Sequence, residues 1–136
     1  MSTLRQLFYV SRVAESVGER DVRNILAISR RNNRMLDVTG CLSCSGRHFA
    51  QILEGRDVAI DNLMGRIARD PRHSDFRLVL DRPIVLREHP LWSMAYRHDP
   101  DPDETLEGLF TEPLPALRES LRMMVRLKPD TVMGAL

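Results

Sequence analysis

Apolar and polar residues alternate with period two in some stretches of the chain and recur at helical spacing in others, and the two patterns take turns. Leu4 to Ser11 is rich in aromatic and branched residues and predicts an interior strand, with Tyr9 on the face of Leu7 and Ser11. From about Glu19 to Asn32, Val22, Ile25, Leu26 and Ile28 fall at helical spacing, with Arg20, Arg23, Arg30 and Arg31 elsewhere around the helix. This amphipathic helix is expected to run out at Asn32-Asn33-Arg34, because asparagine tolerates the left-handed conformation that ends helices. Thr39 to Gly55 holds two strand-like runs joined at Ser45-Gly46. In the second, Phe49, Gln51 and Leu53 share one face and Ala50, Ile52 and Glu54 the other. Asp57 to Asp70 repeats the helical pattern through Ile60, Leu63, Met64 and Ile67, with Pro71 just past its end.

Phe76 to Leu80 alternates and Ile84-Val85-Leu86 is a short apolar run, with Asp81-Arg82-Pro83 between them. That predicts either one long bent or bulged strand or two short ones. Leu91 to Arg97 is the last expected strand, with Trp92, Met94 and Tyr96 on one face. The polar, proline-rich stretch from Asp99 to Glu104 divides a domain of residues 3–98 from a linker and helical extension of residues 99–136. In that extension Leu117, Leu121, Met124 and Val125 recur at helical spacing before Pro129. The order predicts an α+β fold: a ferredoxin-like βαββαββ mixed sheet with two helices on one face and a C-terminal helical extension. With both helices on one side the other sheet face is left apolar, and the extension or a second copy in a homodimer is its expected cover.

Charge changes the picture by exclusion. Twenty Lys and Arg against nineteen Asp and Glu give a net charge of +1 with no long run of one sign, which argues against nucleic acid as the main partner. No apolar stretch approaches the roughly 20 residues that span a bilayer, and the first ten residues lack a signal-peptide core, so no membrane and a cytoplasmic location are expected. Cys41 and Cys44 have C-x-x-C spacing, but on a strand they point to opposite faces and read as structural thiols. His48, His73, His89 and His98 show no metal-ligand spacing, so no metal is expected. There is no glycine-rich phosphate loop and no G-x-S-x-G, which leaves a hydrolase or kinase without a foundation and predicts that the protein is not an enzyme.

Four features remain that could carry chemistry. Gln51 is an amide among apolar neighbours; left buried and unpaired it would cost about 1 to 3 kcal/mol, so it either reaches a partner or faces water. Tyr9 reads as an ordinary core tyrosine whose hydroxyl finds a partner, and sequence alone does not pair it with Gln51. Asn33, one turn after Ser29, either caps its helix or offers amide donors and an acceptor to whatever that helix covers. Arg66, Arg69, Arg72 and His73 gather near the second helix's C-terminal end, where cations complement the helix dipole and arginine also suits a phosphate.

Taken together, Tyr9-Val10-Ser11, Asn32-Asn33, Val38-Thr39-Gly40, Phe49 to Gly55 with its Gln51, Leu53 and Glu54, Asp70-Pro71-Arg72-His73, and Trp92-Ser93-Met94 resemble, in order and spacing, the BLUF domain, a blue-light sensor that uses flavin. The resemblance covers residues 3 to about 98, and the short tail resembles the stand-alone members of that family. It implies a flavin, FAD or FMN, held non-covalently between the two helices. Ile25, Ile28 and Ile67 would line its ring, Asn33 would bond the pyrimidine edge with Asn32 beside it, and Arg66, Asp70, Arg72 and His73 would lie near the ribityl and phosphate chain. It implies also that Tyr9 gives an electron to the excited flavin, that a proton follows through the Gln51 amide, and that the rearranged amide produces a reversible red shift. Met94 and Trp92 would pass the change to the tail and to a downstream protein partner of unknown identity. The chain departs from the family pattern at His89, three positions before Trp92, where an aromatic residue is usual, and Pro90 follows it. The residues alone leave open a ferredoxin-like regulatory or dimerisation module without a chromophore. A thermal flavin oxidoreductase is disfavoured, because no acid/base pair for a substrate stands out.

Overall fold

The computed structural model describes residues 3–44, 47–90 and 95–98. Trp92, Met94 and the expected C-terminal extension lie outside the described residues. The elements are β1 (Leu4–Val13), α1 (Glu19–Leu36), β2 (Thr39–Cys44), β3 (His48–Arg56), α2 (Asp57–Ala68), β4 (His73–Ile84) and β5 (Ala95–His98). They form one mixed sheet in the order β4-β1-β3-β2-β5. β1 lies antiparallel between β3 and β4, β2 is antiparallel to β3, and β5 runs parallel to β2. This is the α+β, ferredoxin-like architecture that the order of patterns predicts.

Both helices pack on one face. Val22 and Leu26 of α1 and Ile60 and Leu63 of α2 join Leu7, Tyr9, Leu42, Phe49 and Leu53 of the sheet in a single core cluster. β1 and β3 are the interior strands of this core, so their residues are buried on both sides: Phe8, Val10, Ala50 and Ile52, on the face away from the helices, are as inaccessible as Leu7 and Leu53. The strand thus reads as a nearly continuous apolar run, with alternation deciding only which layer each residue enters.

Helix α1 begins at Gly18, whose N–H donates to the Asp21 carboxylate at 2.9 Å, and Glu19 and Asp21 place negative charge in the first turn. The expected stop at Asn32-Asn33 is overturned. The helix continues to Leu36 and ends at Asp37, which takes the left-handed conformation at φ 55°. Aspartate shares with asparagine the short polar side chain that tolerates this region. The carbonyl of Asn33 accepts the Val38 N–H at 2.8 Å, closing the last turn from inside the helix. Helix α2 ends at Ala68, two residues short of the expected Asp70.

Of the two alternatives for residues 76–86, the bulged strand is what forms. β4 is continuous, and its register against β1 shifts between Phe8 and Tyr9 and again between Val10 and Arg12. Pro83 is tolerated because β4 is a sheet edge, where a missing N–H costs no ladder bond on the open side. Only Ile84 of the predicted apolar run belongs to the strand; Val85 and Leu86 are 90% and 79% exposed.

Gly40 sets how closely β2 approaches β3. A Cβ at this position would stand 2.0 Å from the Ile52 carbonyl oxygen, a distance no side chain can relieve by rotating. Gly40→Ala is therefore expected to cost about 3 kcal/mol or more, because backbone must move. The measurement is a urea melt, where the midpoint falls at unchanged slope; a midpoint equal to the parent's would show that the two strands separate freely at this point.

Candidate functional site

The site is built on the β1–β3 ladder. Tyr9 and Gln51 are direct cross-strand partners, and both face the helices. Tyr9 is 4% exposed and Gln51 5%. The Tyr9 hydroxyl donates to Gln51 Oε1, which satisfies the buried amide oxygen and turns the NH2 half of the amide away from the tyrosine. Sequence patterning could place each residue on a face, but their pairing depends on register between strands about 40 residues apart.

Tyr9 is packed as well as bonded. Its ring stacks on Phe76 with centroids 4.8 Å apart and meets His73 edge-on at 6.1 Å. Burial, and then the negative charge of Asp70, push the phenol pKa well above the ordinary tyrosine value. A phenolate here is strongly disfavoured, and Tyr9 stands as a neutral hydrogen-bond donor.

A cavity of about 220 Å³ opens above this pair, between the two helices. Helix α1 contributes Ile25, Ile28, Ser29, Asn32 and Asn33, a single stripe at helical spacing, and α2 contributes Leu63, Arg66 and Ile67. The sheet supplies Tyr9, Leu42, Phe49, Gln51 and Leu53 as the floor, and the corner between α2 and β4 supplies Asp70, Arg72 and His73. Two kinds of surface result: apolar walls from the isoleucines, Leu42, Leu63 and Phe49, and amides and charges from the rest. Ile28 is 49% exposed, a large apolar side chain left partly open at the rim. Asn33 is 2% exposed, and its backbone carbonyl accepts the Val38 N–H at the end of the helix.

The basic corner is braced internally. Arg72 grips Asp70 as a fork, with Nε 2.9 and 3.0 Å from the two carboxylate oxygens, Nη2 on Oδ2, and the Arg72 N–H on Oδ1 at 2.9 Å. That grip holds the Asp70 carboxyl below its usual range in spite of partial burial. His73 uses both ring nitrogens. Nε2 donates to the Ile67 carbonyl, which can only accept, and Nδ1 pairs with the Ser11 hydroxyl at 2.7 Å. Arg69 is the C-terminal cap of α2 and does not border the cavity, whereas Arg66 does.

Ile25, Ile28, Asn32, Asn33, Gln51, Arg66, Ile67, Asp70, Arg72, His73 and Tyr9 therefore border one cavity, while Trp92 and Met94 lie outside the described residues. Sequence reasoning did not name Leu42, Phe49, Leu53 and Leu63 for the site. The shared face of Phe49, Gln51 and Leu53 was the available signal for two of them. Among the described residues no cluster of three metal-ligating side chains occurs, and no helix is long and apolar enough to cross a membrane.

A family described as sensors of blue light using FAD matches residues 4–95. The chain belongs to the BLUF family. It is similar to the photoactivated adenylate cyclase subunit beta of Euglena longa, with 33% identity over 137 residues that cover 96% of this chain and 15% of that protein. It is also similar to the blue light- and temperature-regulated antirepressor BluF of Escherichia coli strain K12, with 34% identity over 70 residues, 52% of this chain and 17% of that one. The chain thus spans about 15% of the length of these curated relatives. Among solved structures it is similar to BlrB, a BLUF protein in its dark state, at 33% identity and a TM-score of 0.75, covering 92% of this chain and 97% of that one. The family's cofactor is FAD.

The Asp70–Arg72 fork gives the BLUF corner a defined response to acid. Because the folded-state pKa of Asp70 lies below the unfolded value of about 4, its stabilising contribution is present above that value and is lost as pH falls through the folded pKa. Asp70→Asn is expected to cost about 1 kcal/mol at pH 7, kept small by the partial exposure of Arg72, and to flatten the decline in stability below about pH 4. Urea midpoints for parent and variant at neutral and acid pH test this; parallel declines would show that the pair is energetically silent.

Proposed function

We propose that this BLUF protein is a blue-light photoreceptor in which Tyr9 and Gln51 form the switch. The observation that carries the reading is the buried hydrogen bond from the Tyr9 hydroxyl to Gln51 Oε1 on the floor of the cavity. The cavity fits a flavin in kind. Ile25, Ile28 and Ile67 offer apolar walls to a flat ring, and Asn32, Asn33 and Gln51 offer amides to its polar edge. At about 220 Å³ it is smaller than the roughly 300–1,000 Å³ of drug-sized pockets. It suits the ring system, with the charged tail of the cofactor at the rim, where Arg66 and Arg72 lie.

When bound, the flavin absorbs blue light and supplies an excited acceptor for one electron. Tyr9 is the donor. As a neutral phenol it holds its proton firmly, but removal of an electron makes the phenol strongly acidic, and the proton then passes along the existing hydrogen bond to Gln51 Oε1. An amide protonated at oxygen would either pass a proton from its nitrogen to the one-electron-reduced ring or turn about its side chain. When electron and proton return to Tyr9, the Gln51 side chain is left either as a rotated amide or as its tautomer. Either outcome changes what Gln51 presents to the cavity, and a stronger hydrogen bond to a ring carbonyl lowers the transition energy. No covalent bond to the protein forms, so the change reverses in the dark.

The same geometry favours a sensor over an enzyme. Asp70 is held by Arg72 and both nitrogens of His73 are engaged, so these groups are committed to bracing the corner. Signalling then passes by protein contact. Residues 3–98 are the sensing domain in this reading, within which Trp92 and Met94 pass the change on to residues 99–136, the output side that meets a downstream protein or a second copy of the chain.

Tyr9→Phe is expected to bind flavin, to cost about 1 kcal/mol through the lost hydrogen bond, and to show no reversible red shift. Gln51→Leu is expected to bind flavin and likewise show no shift, since leucine has no amide to rearrange. Absorption spectra in the dark, after blue illumination and after dark recovery decide both; a normal photocycle in either variant would remove that residue from the switch.

A further inference from the structure

The face of the sheet away from the cavity holds a second buried polar group that the light reaction does not use. Glu54 lies three residues beyond Gln51 on β3, points to the opposite face, and is completely buried. Its cross-strand partner is Gln6, also completely buried, whose Nε2 donates to Glu54 Oε2 at 2.7 Å. The carboxylate also holds the segment that leaves β4. The Glu88 N–H donates to Oε2 at 3.0 Å and the His89 N–H to Oε1 at 2.7 Å. Gln6 Oε1 in turn accepts Arg82 Nε at 2.8 Å, and Arg82 pairs with Glu88 at 2.9 Å.

Burying a carboxylate is costly, and an apolar side chain would cover this face at lower cost. What a carboxylate alone supplies is two oxygens accepting from three converging donors, two of them backbone N–H groups of one segment. Burial works against its charge, yet His89, the Glu88 N–H and Gln6 outweigh that penalty and keep the carboxyl below its usual range. The His89 ring is buried, with Nδ1 3.8 Å from Glu54 Oε1, too far for a hydrogen bond.

We propose that Glu54 is a positioning residue that couples the Gln51 switch to the segment of residues 85–90. The inference rests on the Tyr9–Gln51 reading above. Tyr9 with Gln51 and Gln6 with Glu54 are rungs of the same β1–β3 ladder, on opposite faces and three residues apart. A shift of β3 against β1 at the first rung is carried through about 10 Å of paired strand to the second. There the Glu54 oxygens move the Glu88 and His89 N–H groups with them, and the displaced segment leads into residues 91–94. The path is contiguous and consists of identified hydrogen bonds.

The test is amide hydrogen exchange on the full-length, flavin-loaded protein in the dark and under blue light, with the flavin spectrum recorded in parallel. In the parent protein the amides of Glu88 and His89 are expected to change their exchange rate on illumination. In Glu54→Gln, where the amide offers a single acceptor oxygen, the red shift is expected to persist while the light-minus-dark difference at these amides falls at least about threefold. Arg87→Gln is the control. It removes the segment's other anchor, on Thr39, Asp37 and the Glu54 carbonyl, and leaves the Glu54 carboxylate in place. Faster dark exchange with a retained light-minus-dark difference is expected, an outcome that a merely structural role for Glu54 would not separate from Glu54→Gln. A parent protein that shifts red without any change at Glu88 and His89, or a Glu54→Gln variant with the full difference, overturns the coupling. A parent protein that binds flavin but shows no red shift overturns the underlying switch instead.

Discussion

The register of β1 against β3 is the constraint on which the other features of this molecule depend. Leu4 to Arg12 pairs residue by residue with Arg56 to His48, and that alignment sends Leu7, Tyr9, Gln51 and Leu53 to the helices and Gln6, Phe8, Ile52 and Glu54 to the other layer. A slip of one residue would reverse every assignment. It would bring the Glu54 carboxylate against the apolar helix face and part Tyr9 from Gln51. Apolar residues alone would police this poorly, since β3 is buried on both sides and rich in apolar residues on each. The buried polar pairs do it better, because an amide or carboxylate moved away from its donors costs several kcal/mol. Gly40 and the bulges of β4 are the adjustments that let the flanking strands follow.

Charge is arranged around Tyr9 and Gln51 in pairs that hold it in place. Arg5 reaches from β1 to Asp81 on β4 at 2.6 and 2.7 Å and also to Asp61 on α2, tying strand, edge and helix together at the sheet's lower end. Such partly exposed pairs contribute orientation more than stability. Arg72 holds Asp70 and Ser11 holds His73 at the cavity corner. Neutral groups are left on the cavity floor. Tyr9 keeps its proton because burial and Asp70 both oppose its loss.

Much of this was legible in the sequence because it rests on local rules. Period-two and helical spacing gave the element order, and the face of Gln51 followed from Phe49 and Leu53. The site residues on the helices were reached through motif resemblance, and their common stripe on α1 is a consequence of helical geometry. Local rules failed where two solutions satisfied them equally. Asn33 and Asp37 are both able to end a helix, and the chain takes the later one. The apolar Val85 and Leu86 looked like strand and are exposed, since the strand ends at Ile84. Least legible was Glu54. A glutamate at the alternate position of a strand suggests a solvent-facing side, and the Glu88 and His89 N–H groups that it accepts come from a segment whose return the alternation does not reveal.

The departure of this chain at His89-Pro90 is accommodated by the way Glu54 is satisfied. What the carboxylate needs from residues 88 and 89 is their backbone N–H groups, so the side chain at position 89 is free to vary without loss of those bonds. Position 54 has no such freedom, because it supplies the acceptors. Proline at 90 can contribute no N–H, which ends the run of donors at His89. The replacement of an aromatic residue by histidine thus leaves the two backbone bonds to Glu54 in place and sets a buried ring nitrogen 3.8 Å from Glu54 Oε1.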